Sequence, residues 1–103
     1  MNFKVTILQS ALDGLDQIYR HILSSYSDIK TAANYRDKIL RAAKSLDTFP
    51  ERHPVYTAYQ TSLEFRFTVV DKKIIILYQV GPAQLCVYIY HIVDGRRDLQ
   101  GSL

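Results

Sequence analysis

The hydrophobic period of this chain changes at Phe49-Pro50, and that change constrains the fold more than any other feature. Between residues 11 and 46 apolar side chains recur at three- and four-residue steps, whereas from residue 62 onward they alternate. Proline lacks an N–H and biases the residue before it away from helical angles, so the helical half must stop there. A short alternating stretch, residues 2–8, precedes the helical half: Phe3, Val5 and Ile7 lie between Asn2, Lys4 and Thr6, as in a strand with one buried face.

Within the helical half, Ser10 followed by Asp13 reads as a capping box that opens a first helix over residues 11–25. Leu12, Leu15, Ile18, Tyr19, Ile22 and Tyr26 form its apolar stripe. The polar run Ser24-Ser25-Tyr26-Ser27-Asp28 breaks it and opens a second helix over residues 29–46, where Ala32, Tyr35, Ile39, Ala42, Ala43 and Leu46 repeat helically. A tight turn then makes the two helices an antiparallel hairpin. Residues 51–61, with Pro54, Tyr56 and Tyr59, read as an ordered loop. Three strands follow, over residues 62–70, 73–80 and 85–93, joined by turns at Asp71-Lys72-Lys73 and Gly81-Pro82-Ala83. The order β-α-α-β-β-β implies an α+β domain: a mostly antiparallel sheet of about four strands with the helical hairpin packed on one face. The other face, more exposed, is the expected place for chemistry.

Composition bounds what that chemistry can be. At 103 residues the chain suits one domain, spanning 1–103, with a single core. Its longest apolar run, Ile74 to Tyr78, is far shorter than the roughly 20 residues of a membrane-spanning helix, and residues 1–20 show no signal-peptide pattern, so a soluble cytoplasmic protein without a membrane partner is expected. The single cysteine, Cys86, has no intrachain partner, and the three histidines show no zinc spacing, so no metal or cofactor is expected. Thirteen Lys and Arg against ten Asp and Glu give a net charge of +3, which permits an anionic partner without requiring one. The second helix holds Lys30, Arg36, Lys38, Arg41 and Lys44 against only Asp37 and Asp47, either a solvated face or a partner surface.

In the β half, Arg66 alternates with the apolar series Leu63, Phe65, Phe67 and Val69, so it is expected to project from the uncovered face. There it could grip a phosphate or carboxylate, or pair with Glu64. Tyr88 and Tyr90 point one way on a regular strand and His91 the other, so the three are not expected to cluster. Each can be read as packing or, for Tyr90 and His91, as acid or base. Arg96 and Arg97 follow Gly95 as possible cations.

Three stretches, Leu46-Asp47-Thr48-Phe49-Pro50, Ile76-Leu77-Tyr78-Gln79-Val80 with Arg66 a dozen residues before Tyr78, and Asp94-Gly95-Arg96-Arg97-Asp98, together resemble the RelE/ParE superfamily of bacterial type II toxins over nearly the whole chain. The resemblance implies a toxin that arrests growth until a cognate antitoxin neutralises it in a hetero-oligomer, as in plasmid stabilisation, with Lys38, Arg41 and Lys44 on the antitoxin-binding surface. RelE-like members cut messenger RNA on the ribosome; ParE-like members poison DNA gyrase. Where a RelE-like nuclease carries an arginine, this chain has Ile74-Ile75-Ile76, and Asp94 stands where many relatives have histidine. Arg66 matches the strand arginine of ParE-like sequences. The resemblance therefore favours a ParE-like gyrase poison with Arg66, Arg96 and Arg97 as target-binding residues. The alternative is a metal-independent endoribonuclease using Arg66, Arg97, Tyr90 or His91; a non-toxic antitoxin-binding module is a third reading.

Overall fold

The computed structural model describes residues 2–57 and 64–95. Its elements are β1 (Lys4–Ile7), α1 (Gln9–Tyr26), α2 (Ile29–Lys44), two short 3-10 turns (Ser45–Asp47 and Pro50–Arg52), β2 (Arg66–Val70), β3 (Ile74–Gly81) and β4 (Cys86–Asp94). The sheet runs β1-β4-β3-β2, with β1 parallel to β4 and the other neighbours antiparallel. This is the expected α+β fold, with the helical hairpin against one sheet face.

The helices bury the stripe that gives them their amphipathic period. From α1, Ala11, Leu15, Ile18 and Ile22 enter the core, and from α2, Ala32, Ile39 and Ala43. They meet Ile74, Ile76 and Tyr78 of β3 and Val87, Ile89 and Ile92 of β4. The α1 stripe is rotated from the expected one: Leu12 and Tyr26 are exposed, and small residues take the inner positions. Gly14 shows why, since a Cβ there would lie 2.1 Å from the Ile92 carbonyl oxygen. Helix and strand touch backbone to backbone, leaving no room for a side chain.

The hairpin turn forms as its polar residues suggest. Ser27, at φ 52°, ends α1 and donates its amide to the Leu23 carbonyl. Asp28 then caps α2 by accepting from the Lys30 amide and the Thr31 hydroxyl, bonds that hold its carboxyl below the usual range. The expected capping box at the start of α1 does not form. The helix begins at Gln9 after an uncapped Leu8; Ser10 instead donates its hydroxyl to the Tyr90 carbonyl at 2.5 Å, and Asp13 accepts from the Gln9 side chain.

Two irregularities position the rest. The β2–β3 connection is a three-residue loop, Asp71 to Lys73, in which Asp71 and Lys72 take left-handed φ of 56° and 65° and Lys73 donates its amide to the Val70 carbonyl at 3.2 Å. Between β3 and β4 the register slips: Leu77 faces His91 while Tyr78 faces Ile89, so Tyr90 is an extra, unpaired residue. The bulge withdraws its carbonyl from the ladder, and Ser10 satisfies it.

Candidate functional site

The bulge at Tyr90 reorganises the sheet face that the helices leave uncovered. Opposed residues of antiparallel strands share a face; Leu77 and Gln79, two apart on β3, therefore carry their partners His91 and Tyr88 to one side. Tyr90 joins them, its ring 5.0 Å from Phe65 in an edge-to-face contact and its hydroxyl donating to Gln79 Oε1 at 3.3 Å. The expectation that Tyr88, Tyr90 and His91 are kept apart is thus corrected, because it assumed a regular strand. Tyr56 extends the aromatic face by packing edge-on against Phe67 at 5.6 Å. Beside it, the Tyr88 phenol is pushed up in pKa, first by its hydrogen bond with Cys86.

Arg66 is not on that face. It pairs with Tyr78, as Thr68 does with Ile76 and Val70 with Ile74, all on the helix-covered side, while Phe65, Phe67 and Val69 take the uncovered side. Alternation alone reveals two faces but not which one the helices cover. Here aromatic packing with Tyr56 and Tyr90 draws the phenylalanines outward. The Arg66 guanidinium, with its side chain only 18% exposed, donates Nη1 to the carbonyls of His53 (2.7 Å) and Glu51 (3.2 Å) and Nη2 to Glu64 Oε2 (3.2 Å). The pairing with Glu64 considered from sequence is present.

Arg66 is one of four ties on the segment after α2. Tyr78 donates its hydroxyl to the Pro50 carbonyl at 2.5 Å, and burial pushes its pKa up to about 12. His53 meets the Tyr78 ring edge-on, and burial, aided by the Arg52 charge, pushes the imidazole down. Arg52 closes the segment by donating to the carbonyls of Thr48 and Phe49 and to the Ser45 hydroxyl. The product is Phe49 held at φ 45° and 76% exposed, beside a cleft of about 480 Å³ lined by Phe3, Phe49, Pro50, Glu51 and Arg52. Sequence reasoning used Phe49-Pro50 as a helix stop and as part of the family resemblance, and gave no site role to Phe49 or Arg52; the signal it passed over was a bulky aromatic directly before a proline.

The helical basic residues lie on the surface. Lys38 is bound to Asp71 of the β2–β3 turn at 3.3 Å, which holds that carboxyl below its usual range, and Arg41 and Lys44 are exposed near the end of α2. Arg36 lies over the Tyr19 ring. Arg96 and Arg97 fall outside the described residues. Among the described residues no group of three or more potential ligand side chains could hold a metal ion, and no helix is long and apolar enough to cross a membrane.

A family model described as "ParE toxin of type II toxin-antitoxin system, parDE" matches residues 5–99. The chain belongs to this ParE toxin family. The toxin's fold is shared with a solved structure described as "Chromosomal ParDE TA system from P. aeruginosa", at TM-score 0.73 and 15% identity, covering 89% of this chain and 95% of that one. It is also similar to a chain of the RelBE2 toxin–antitoxin complex from Mycobacterium tuberculosis, at TM-score 0.60 and 14% identity, covering 91% and 92%. A comparison with curated protein sequences finds no match. The toxin's helix end at Phe49-Pro50, its strand arginine and its bulged last strand thus sit in a fold common to ParE-type and RelE-type systems.

Proposed function

We propose that this toxin arrests bacterial growth by binding DNA gyrase in the cytoplasm through its uncovered sheet face, until a cognate antitoxin neutralises it. The observation that carries the reading is the separation of arginines from the aromatic face. A metal-independent ribonuclease needs cations beside its acid and base to stabilise a pentacoordinate phosphate. Among the described residues, Arg66 is tied on the helix-covered side, Arg20, Arg36 and Arg41 lie on the helices, and Arg52 closes the Phe49 turn. A face of phenols and phenyl rings with polar tips suits a protein–protein contact, where tyrosine is enriched. Arg96 and Arg97 are the proposed cations of that contact, and Lys38, Arg41 and Lys44 the proposed antitoxin surface.

The gathering of Tyr90 and His91 by the bulge favours a second reading, a ribosome-dependent endoribonuclease using that pair with Arg97. Pulse-labelling after induction without antitoxin separates the two. Thymidine incorporation is expected to fall before amino-acid incorporation; early arrest of protein synthesis would establish the ribonuclease reading instead.

A further inference from the structure

We propose that Ser10, on α1, is a positioning residue for the uncovered sheet face: its hydroxyl fixes the β4 bulge that gathers Tyr88, Tyr90 and His91 there. The inference rests on the reading above that this face carries the growth-arresting contact.

The backbone around Tyr90 shows what has to be held. Among the described residues β1 pairs with β4 only as far as Ile7 and Ile89, and the last bond on that side runs from the Leu8 amide to the Ile89 carbonyl at 3.0 Å. Successive carbonyls of a regular strand point to opposite edges. Here the Ile89 and Tyr90 carbonyls both turn toward the β1–α1 side, the first to Leu8 and the second to the Ser10 hydroxyl at 2.5 Å. This repeat is the bulge expressed in the backbone, and beyond it the neighbour of β4 on this side is a helix and not a strand.

The helix meets the strand at two points one helical turn apart. Four residues after Ser10, the side-chain direction of Gly14 aims at the Ile92 carbonyl oxygen, 2.1 Å from where a Cβ would stand. The two contacts differ in kind: Gly14 admits the strand by having no side chain, whereas Ser10 supplies a donor. In a trans peptide the carbonyl and the following N–H point opposite ways, so the bond that draws the Tyr90 oxygen toward α1 also turns the His91 amide toward β3. One bond thereby sets the peptide plane between Tyr90 and His91, and with it the direction of both side chains. On the far face that direction seats Tyr90 against Phe65 at 5.0 Å and its hydroxyl 3.3 Å from Gln79 Oε1, with His91 opposite Leu77.

The helix itself does not need this serine. It begins at Gln9 after Leu8, with no side-chain cap, and the Ser10 hydroxyl serves the strand. Alanine is the better helix former, so Ser10→Ala removes the bond without weakening α1. Ser10 is exposed, so no cavity opens, and water can replace the lost donor without imposing its direction.

The test compares the full toxin with Ser10→Ala and Ser10→Thr by growth arrest on induction, inhibition of purified DNA gyrase, urea unfolding, and NMR of the Tyr90 and His91 side chains. Ser10→Ala is expected to raise the toxin concentration for half-inhibition of gyrase at least tenfold and to weaken growth arrest in step, with the urea midpoint nearly unchanged. Cross-peaks between the Tyr90 and Phe65 rings should fade and the His91 ring resonances shift. Ser10→Thr keeps the hydroxyl and should restore the cross-peaks, and activity to within threefold. Full activity of Ser10→Ala with unmoved resonances overturns the proposal. So does lost activity with unmoved resonances, which would make Ser10 a direct contact, and so does a fall in urea midpoint large enough to explain the loss. If the unaltered toxin leaves gyrase untouched while Ser10→Ala still loses growth arrest and shifts these resonances, the gyrase reading fails and the positioning role stands. A Tyr90→Ala toxin that arrests growth normally would remove the face from the activity and overturn both.

Discussion

The two faces of the sheet are held by different forces, and the difference separates what keeps this protein folded from what it offers a partner. Under the helices, Ile39, Leu46, Ile74, Ile76, Tyr78, Val87, Ile89 and Ile92 are fully buried, an aliphatic core around one phenol. On the far side, Tyr56 meets Phe67 and Phe65 meets Tyr90, each pair edge to face, and the part-buried Tyr90 hydroxyl bonds to the Gln79 side chain. Close packing makes the first face intolerant of small volume changes. The second face is half-exposed at Phe67, Tyr88, Tyr90 and His91 but buried at Phe65 and Leu77, so its half-exposed residues can change with little cost to the fold and a large cost to recognition.

The largest expected effect is therefore on the covered face. Leu46→Ala should lower stability by about 2–5 kcal/mol, because a fully buried leucine leaves a cavity the surroundings fill only in part. Gly14→Ala should also be costly, since its Cβ must displace the Ile92 carbonyl backbone. Urea unfolding checks both. A loss under about 0.5 kcal/mol, the range of ordinary surface changes, would break the contrast between the faces.

An intermediate effect is expected where the two regions meet. Arg66→Ala removes three hydrogen bonds, two of them to carbonyls of the segment at Glu51 and His53, and should cost about 1–3 kcal/mol. Tyr90→Phe removes one 3.3 Å bond and should cost under about 1 kcal/mol while reducing growth arrest more than Arg66→Lys does. Paired denaturation and growth-arrest measurements sharpen the comparison. An Arg66→Ala protein of native stability that no longer arrests growth would return Arg66 to the target-binding set.

Most of the architecture is legible in the sequence because hydrophobic periods and their breaks report it directly: the alternating Phe3, Val5 and Ile7, the helical repeats, and the polar break from Ser24 to Asp28 that ends one helix and opens the next. What is not legible depends on events between elements. The side of the sheet that Arg66 occupies follows from which face of β2 the aromatic residues claim, and alternation is symmetric between the two. The grouping of Tyr88, Tyr90 and His91 depends on one bulge, and its companion bond from Ser10 spans 80 residues in sequence. The same bond removes the capping box, because Ser10 serves the strand and not its own helix. Phe49 is visible as a helix stop, yet its outward display depends on a guanidinium three residues later.

The smallest expected effect lies in the segment that joins the faces, and its sign follows from His53. Burial against Tyr78 and the charge of Arg52 hold the folded imidazole below its unfolded value of 6.5, with Arg66 and Glu51 the other charged neighbours of that segment. Between the folded value and 6.5 the unfolded chain binds more protons than the folded one, so stability rises with pH through that window. Acidification from neutrality should thus weaken the fold progressively below pH 6.5, and the loss from this group is complete once pH falls through its folded value. His53→Gln, which keeps a polar side chain of similar size but cannot titrate, should flatten the urea midpoint between about pH 7.5 and pH 5.5. An unchanged slope in the variant would place the titrating group elsewhere and detach the His53–Tyr78 contact from the electrostatics of the turn that presents Phe49.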